Sequence, residues 1–294
     1  MYYPVRNPQA THPMRLGYNT NGLAHHDPFE AVELLAEIGY RSVALTLDHG
    51  PLNPFAGDFD DQLRKMRQLL ERLDMRSVVE TGARYLLDPR TKHEPTLVSR
   101  DPRGRQRRTD FLRRAIDAAH ALESDCVSLW SGVVRDGAAD GADEAAVWQR
   151  LLGGLHETLD YAEARGVVLG FEPEPGMFVD TMARFDDLSR RLDHDRFRLT
   201  LDIGHLQCLG ELPITDHLVR YAERLVNVHL EDMRAGRHEH LMFGEGEIDF
   251  PPVMRYLSES GYAGGIHVEL SRHSHLGPEA ARQAFAFLSP LMAT

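Results

Sequence analysis

The sequence predicts a single-domain α/β protein folded as a (β/α)8 TIM barrel. Strand-like and helix-like segments alternate eight times along 294 residues, with no linker and no break in composition. Four short hydrophobic runs in the second half (167–172, 198–202, 225–229 and 265–269) end in Glu172, Asp202, His229 and Glu269. At the ends of successive strands of a closed parallel barrel, those four side chains meet at one mouth. A doubly wound open sheet is the competing arrangement. It calls for a glycine-rich phosphate turn after an early strand, which Gly17-Tyr18-Asn19-Thr20-Asn21-Gly22 does not supply.

Residues 1–13 read as a polar, proline-bearing N-terminal tail ahead of a barrel over 14–294. The first strand covers 15–19. Asp27 then caps a helix, with Pro28 in its first turn and Glu30 placed to close a capping box. Ala31, Leu34, Leu35 and Ile38 share one face of that helix, and Gly39 ends it. Residues 42–47 form the second strand, and Leu63, Met66, Leu70 and Leu73 line the next helix. Strand 76–80 pairs with a helix marked by Leu112, Ala115, Ile116 and Ala119. Strand 126–130 precedes a long helix carrying Val147, Leu151, Leu155, Leu159 and Ala162. The four runs above supply strands five to eight, with helices centred near Leu188, Val219, Met254 and Phe285.

Hydrophobic content of 42% and charged content of 27% are those of a globular chain with a substantial core. A net charge of -12 argues against nucleic acid as a partner, since such binders carry a basic face. The one basic run, 100–108, reads as a solvated loop leading into a helix. Cys126 and Cys208 lie far apart in apolar surroundings, which suits a reducing cytoplasm. No signal peptide is legible at the N-terminus, and no run approaches the roughly 20 apolar residues needed to span a bilayer. Association into a homo-oligomer stays open, because no interface is legible.

Three carboxylates and one imidazole make a hard, mostly oxygen ligand set. Such a set suits one divalent metal ion, manganese or magnesium first, with cobalt or zinc as further candidates. Other polar residues at strand ends are Asn19, Asp48, Glu80 and Arg84, while Trp130 and Phe178 offer aromatic surface for a pocket wall.

Phe171-Glu172-Pro173, Leu201-Asp202-Ile203-Gly204-His205, Val228-His229-Leu230-Glu231-Asp232, the stretch 244–250 and Val268-Glu269 are further motifs. On these the chain resembles the xylose isomerase-like TIM-barrel superfamily over about residues 14–290. That superfamily holds sugar isomerases, ketose 3-epimerases, inosose dehydratases and isomerases, and apurinic endonucleases. The resemblance implies that Glu172, Asp202, His229 and Glu269 ligate one catalytic divalent ion. It also implies that His205 contacts substrate oxygens, or a further zinc in the endonucleases. His238-x-His240 resembles the Asp-x-His pair of those endonucleases, so with His205 it leaves two roles open: a second metal site, or hydrogen bonding to polyol oxygens from a loop. Arg234 or Arg237 corresponds to the substrate-contacting arginine of the ketose 3-epimerases, and Trp130 is placed to bind substrate.

The implied activity is a metal-dependent isomerase or epimerase of a sugar, keto-sugar or inositol derivative. Glu172 and Glu269 form its acid/base pair around a metal-stabilised enediolate. A lyase of the same superfamily, dehydrating an inosose or cleaving a 3-keto-glycoside, is the alternative, followed by an apurinic endonuclease and a non-catalytic sugar-binding barrel. The endonucleases carry histidines at the ends of strands three and four, where this chain has Glu80 and Trp130. The second glutamate of the ketose 3-epimerases is Phe178 here, with Glu174 as the nearest substitute.

Overall fold

The hydrophobic runs fold as parallel strands, each followed by helix, in a computed structural model that describes residues 14–135 and 143–292. The tail expected over 1–13 lies outside the described residues. In chain order the elements are β1 (Arg15–Asn19), α1 (Pro28–Ile38), β2 (Ser42–Thr46), α2 (Phe59–Arg72), β3 (Arg76–Glu80), α3 (Pro102–Leu122), β4 (Val127–Leu129), α4 (Glu144–Arg165), β5 (Leu169–Phe171) and α5 (Met182–Leu192). They continue with β6 (Phe197–Asp202), α6 (Ile203–Leu209), α7 (Ile214–Tyr221), β7 (Leu225–Leu230), β8 (Asp232–Arg234), β9 (Arg237–Leu241), α8 (Phe250–Glu259), β10 (Gly265–Val268) and α9 (Gly277–Leu288). Strands β1 to β7 and β10 close into a barrel in the order β1-β10-β7-β6-β5-β4-β3-β2. The pairing is parallel throughout the barrel. The (β/α)8 TIM barrel predicted from the sequence is the fold observed.

Caps set the helix starts as the sequence implies. The Asp27 carboxylate accepts from Phe29 N at 2.9 Å and Glu30 N at 3.4 Å. Gly39 closes α1 with φ 126°, a conformation that favours glycine, and its N–H donates to Leu35 O.

Alternation along the strands makes two cores. Outward residues such as Tyr18, Leu45, Phe171, Leu201 and Val268 join the helices' apolar faces in one continuous cluster. Inside the barrel the side chains are small or polar: Ala44, Val78 and Cys126 pack with Val168 and Val226. His267 fills the space between β1 and β10. A methyl group at Gly17 or Gly265 would sit 2.3 or 2.2 Å from its ring, so both positions need glycine.

Three local features depart from the sequence reading. The basic run 100–108 is not a solvated loop, because α3 begins at Pro102 under the Asp101 cap and Arg108 is buried within it. Its guanidinium donates to the carbonyls of Pro95, Thr81 and His93 at 2.8, 3.0 and 2.6 Å, inward-facing groups that a long multi-donor side chain reaches. Residues 234–240 are not a loop either. β8 and β9 form an antiparallel hairpin there, with Ala235-Gly236 in the turn. Finally, α6 follows β6 with no connection, capped by Asp202 itself, whose carboxylate accepts from His205 N at 3.1 Å.

Candidate metal centre

Barrel order places β5, β6, β7 and β10 side by side, and their C-terminal ends carry Glu172, Asp202, His229 and Glu269. Glu172 lies one residue beyond β5 and Glu269 one beyond β10. Each of the four offers one ligand atom within 4.8 Å of the others. Oxygen and nitrogen ligands on opposite sides of one divalent ion lie about 4 to 5 Å apart, so the spacing suits a shared cation. His229 Nδ1 is 2.9 Å from Glu172 Oε1 and 3.0 Å from Glu269 Oε2. Asp202 Oδ2 is buried and has no hydrogen-bond partner among the described residues. A buried carboxylate oxygen in that state is costly unless a cation or proton meets it, and the residues therefore fit a hard divalent ion.

The electrostatics agree. Burial pushes Glu172 up to about 8, against the pull of His229. Burial also opposes charge on Glu269, but His229 and the hydrogen bond from Asn21 outweigh it and hold this carboxyl below its usual range. For His229 burial disfavours the imidazolium, yet Glu172, Glu80 and Glu269 together raise it well above the ordinary histidine value. The same carboxylates that favour a proton on His229 favour a metal ion in its place.

Two buried acids at this site went unassigned in the sequence. Glu80, at the end of β3, places Oε1 3.1 Å from His229 Nε2, on the far side of the ring from the other ligands. Were Nδ1 to hold the ion, Nε2 would carry the proton and donate a hydrogen bond to the Glu80 carboxylate. Asn227 Nδ2 stands 3.0 Å from the same nitrogen, and Asn227 Oδ1 lies 2.7 Å from His267 Nδ1, which ties the site to the barrel interior. Glu231 is fully buried. Burial and the neighbouring Asp202 raise its pKa well above the usual carboxylate value. Only the alternation of β7, which puts Glu231 two residues after His229, hinted at this.

Beside this cluster Glu174, His205 and His238 also bring ligand atoms within 4.8 Å of one another. His205 Nδ1 is 3.0 Å from Pro173 O, an acceptor, so the proton sits on Nδ1 and Nε2 presents a lone pair 3.4 Å from Asp202 Oδ2. Burial lowers the pKa of both His205 and His238, the latter to about 4. His240 lies next to His238, with ring centroids 5.3 Å apart, and 3.9 Å from Glu231. Arg234 turns to Glu239 Oε1 at 3.2 Å and Glu245 O at 2.6 Å, and Arg237 is exposed. Trp130 follows β4, with the Arg108 guanidinium 4.8 Å over its ring and His93 edge-on at 5.4 Å. Phe178 packs against Trp148 at 4.9 Å.

The model of a family described as the xylose isomerase-like TIM barrel matches residues 32–291. The chain belongs to that family. Inosose dehydratase from Lacticaseibacillus casei is 34% identical over 139 residues, a stretch that covers 42% of this barrel's chain and 46% of the relative. The match thus spans less than half the length of that relative. Among solved structures, D-psicose 3-epimerase from Clostridium cellulolyticum with D-tagatose superposes with a TM-score of 0.75 at 18% identity. It covers 95% of this chain and 99% of the epimerase. 3-Keto-D-glucoside 4-epimerase from E. coli gives 0.76 at 15% identity, covering 94% and 99%. At these identities the two structures share the fold of this barrel.

Proposed function

We propose that this protein is a divalent-metal-dependent isomerase or epimerase acting on a sugar, keto-sugar or inositol derivative. The observation that carries the reading is the group of three carboxylates and one imidazole at the barrel mouth, with Glu172 and Glu269 at 2.9 and 3.0 Å from His229 Nδ1. Glu172, Asp202, His229 and Glu269 would hold the ion, manganese or magnesium by the hardness of the donors. Bound there, the ion supplies Lewis acidity to a substrate carbonyl. Of the two glutamates, one takes the proton from the carbon next to the carbonyl and the other returns a proton, to the opposite face for epimerisation. Return to the neighbouring carbon gives isomerisation. The bare Nε2 of His205 accepts a hydrogen bond from a substrate hydroxyl, and His238 and Glu174 stand beside it for the same purpose. Trp130 and His240 would complete the substrate wall, and Arg234 or Arg237 would reach it only by leaving the positions they hold on the β8–β9 hairpin.

The likeness to inosose dehydratase favours one second reading, loss of a β-hydroxyl with a proton as water after the same first proton transfer. Deuterium exchange from solvent into a panel of keto-sugars and inososes tests both readings. Exchange with isomer formation supports the first, exchange with an unsaturated product supports the second, and no exchange in metal-loaded protein overturns both. Metal analysis of the purified chain separates one ion from two, the second being a candidate for Glu174, His205 and His238. The acidic net charge favours a small-molecule partner over nucleic acid, and two buried free cysteines suit the cytoplasm.

A further inference from the structure

A cavity of ≈ 270 Å³ opens next to Glu269, walled by the 3-10 turn Thr20–Leu23, the start of α1 and the segment after β2. Asn21 joins it to the metal centre. Its Nδ2 donates to Glu269 Oε1 at 2.8 Å, while its Oδ1 is buried with no hydrogen-bond partner among the described residues. His26 Nδ1, on the same wall, is buried and unpartnered in the same sense. Arg84 reaches in half-buried and donates to Asn21 O at 2.8 Å. Asp48 lies on the same lining, so an anion would meet a carboxylate and a cation would meet a guanidinium. Leu23 and Leu52 add an apolar base. Opposite charges over apolar carbon suit a neutral ring bearing several hydroxyls. The volume is just below the range of about 300–1,000 Å³ for drug-sized ligands, which leaves room for one such ring.

We propose that this cavity is a second subsite that holds a neutral hydroxylated ring joined to the ring reacting at the metal centre. The substrate class is then a two-ring glycoside. The proposal rests on the reading of the metal centre as a proton-transfer site for keto-sugars.

The test uses the full metal-loaded chain with a one-ring and a two-ring probe, 3-keto-glucose and 3-keto-cellobiose, followed by solvent deuterium exchange. Wild-type protein is expected to prefer the two-ring probe by about tenfold or more in kcat/KM. Ala24→Trp and His49→Trp each place a bulky ring at an exposed position on the rim, where folding tolerates it. Both should cut that preference at least about tenfold, through KM for the two-ring probe, with unfolding midpoints near wild type. A preference that survives in both variants overturns the subsite. Exchange of the one-ring probe without preference for the larger one also overturns it and leaves the metal-centre reading standing. Exchange with neither probe overturns both.

Discussion

Glu172, after β5, and Glu269, after β10, stand 2.9 and 3.0 Å from His229 Nδ1, so each can ligate with one oxygen and move a proton with the other. Glu269→Gln keeps the shape and removes one member of the acid/base pair; solvent exchange into substrate should fall by at least about 100-fold while circular dichroism is retained. Full exchange in that variant would sink the assignment. Glu80 acts through His229, and Glu80→Gln should weaken metal binding by about 10- to 100-fold in a competitive chelator titration, with little change in the melting of metal-free protein. Glu80→Asp, which keeps the charge, should recover part of that loss. Metal affinity should also follow pH in a definite direction. Besides the proton favoured on His229, a cation must displace the one that burial keeps on Glu172 up to about 8, so affinity climbs with pH through that value. An affinity that stays flat across neutral pH would show that this proton is not in competition with the ion.

At the scale of elements, the mouth is shaped by junctions that periodicity does not reveal. β6 runs straight into α6 because Asp202 ends one and caps the other, and Gly204 in the first turn lets Glu231 pack below. A methyl group at Gly204 would lie 2.0 Å from Glu231 Oε1. Gly204→Ala should therefore cost about 1–3 kcal/mol in denaturant melts and disturb metal binding as well. The segment between β3 and α3 hangs on Arg108, whose three backbone bonds and contact with Trp130 bind it to the barrel. Arg108→Met leaves those carbonyls without a donor, and a loss of about 3 kcal/mol or more is expected by the same measurement. The sequence placed Arg108 in a solvated stretch because charge normally marks the surface. The partners that bury it are backbone carbonyls from 13 to 27 residues away, which no local pattern encodes. The hairpin carrying His238 and His240 reads as a loop in the sequence because its short strands are polar in composition.

For the whole molecule, a cation that binds the folded barrel and not the unfolded chain must stabilise it, by about 2.7 kcal/mol at 100 times the dissociation constant. The melting temperature of wild-type protein should rise with manganese or magnesium concentration, and the rise should vanish in Asp202→Asn; an equal rise in both would place the ion elsewhere. The sequence by itself determined the barrel and the four residues at its mouth, since alternating hydrophobic periods count the strands and each candidate ligand ends one of them. Ring closure then forces those ends together, so distance in sequence does not matter. Tertiary structure alone decided which groups stand behind that first ring of residues. Glu80 behind His229, Glu231 behind Asp202, and Asn21 between Glu269 and the neighbouring cavity depend on side-chain direction and packing across strands far apart in the chain. Hydrophobic periodicity carries the direction of a strand face, but not which polar neighbour a buried side chain meets across the barrel.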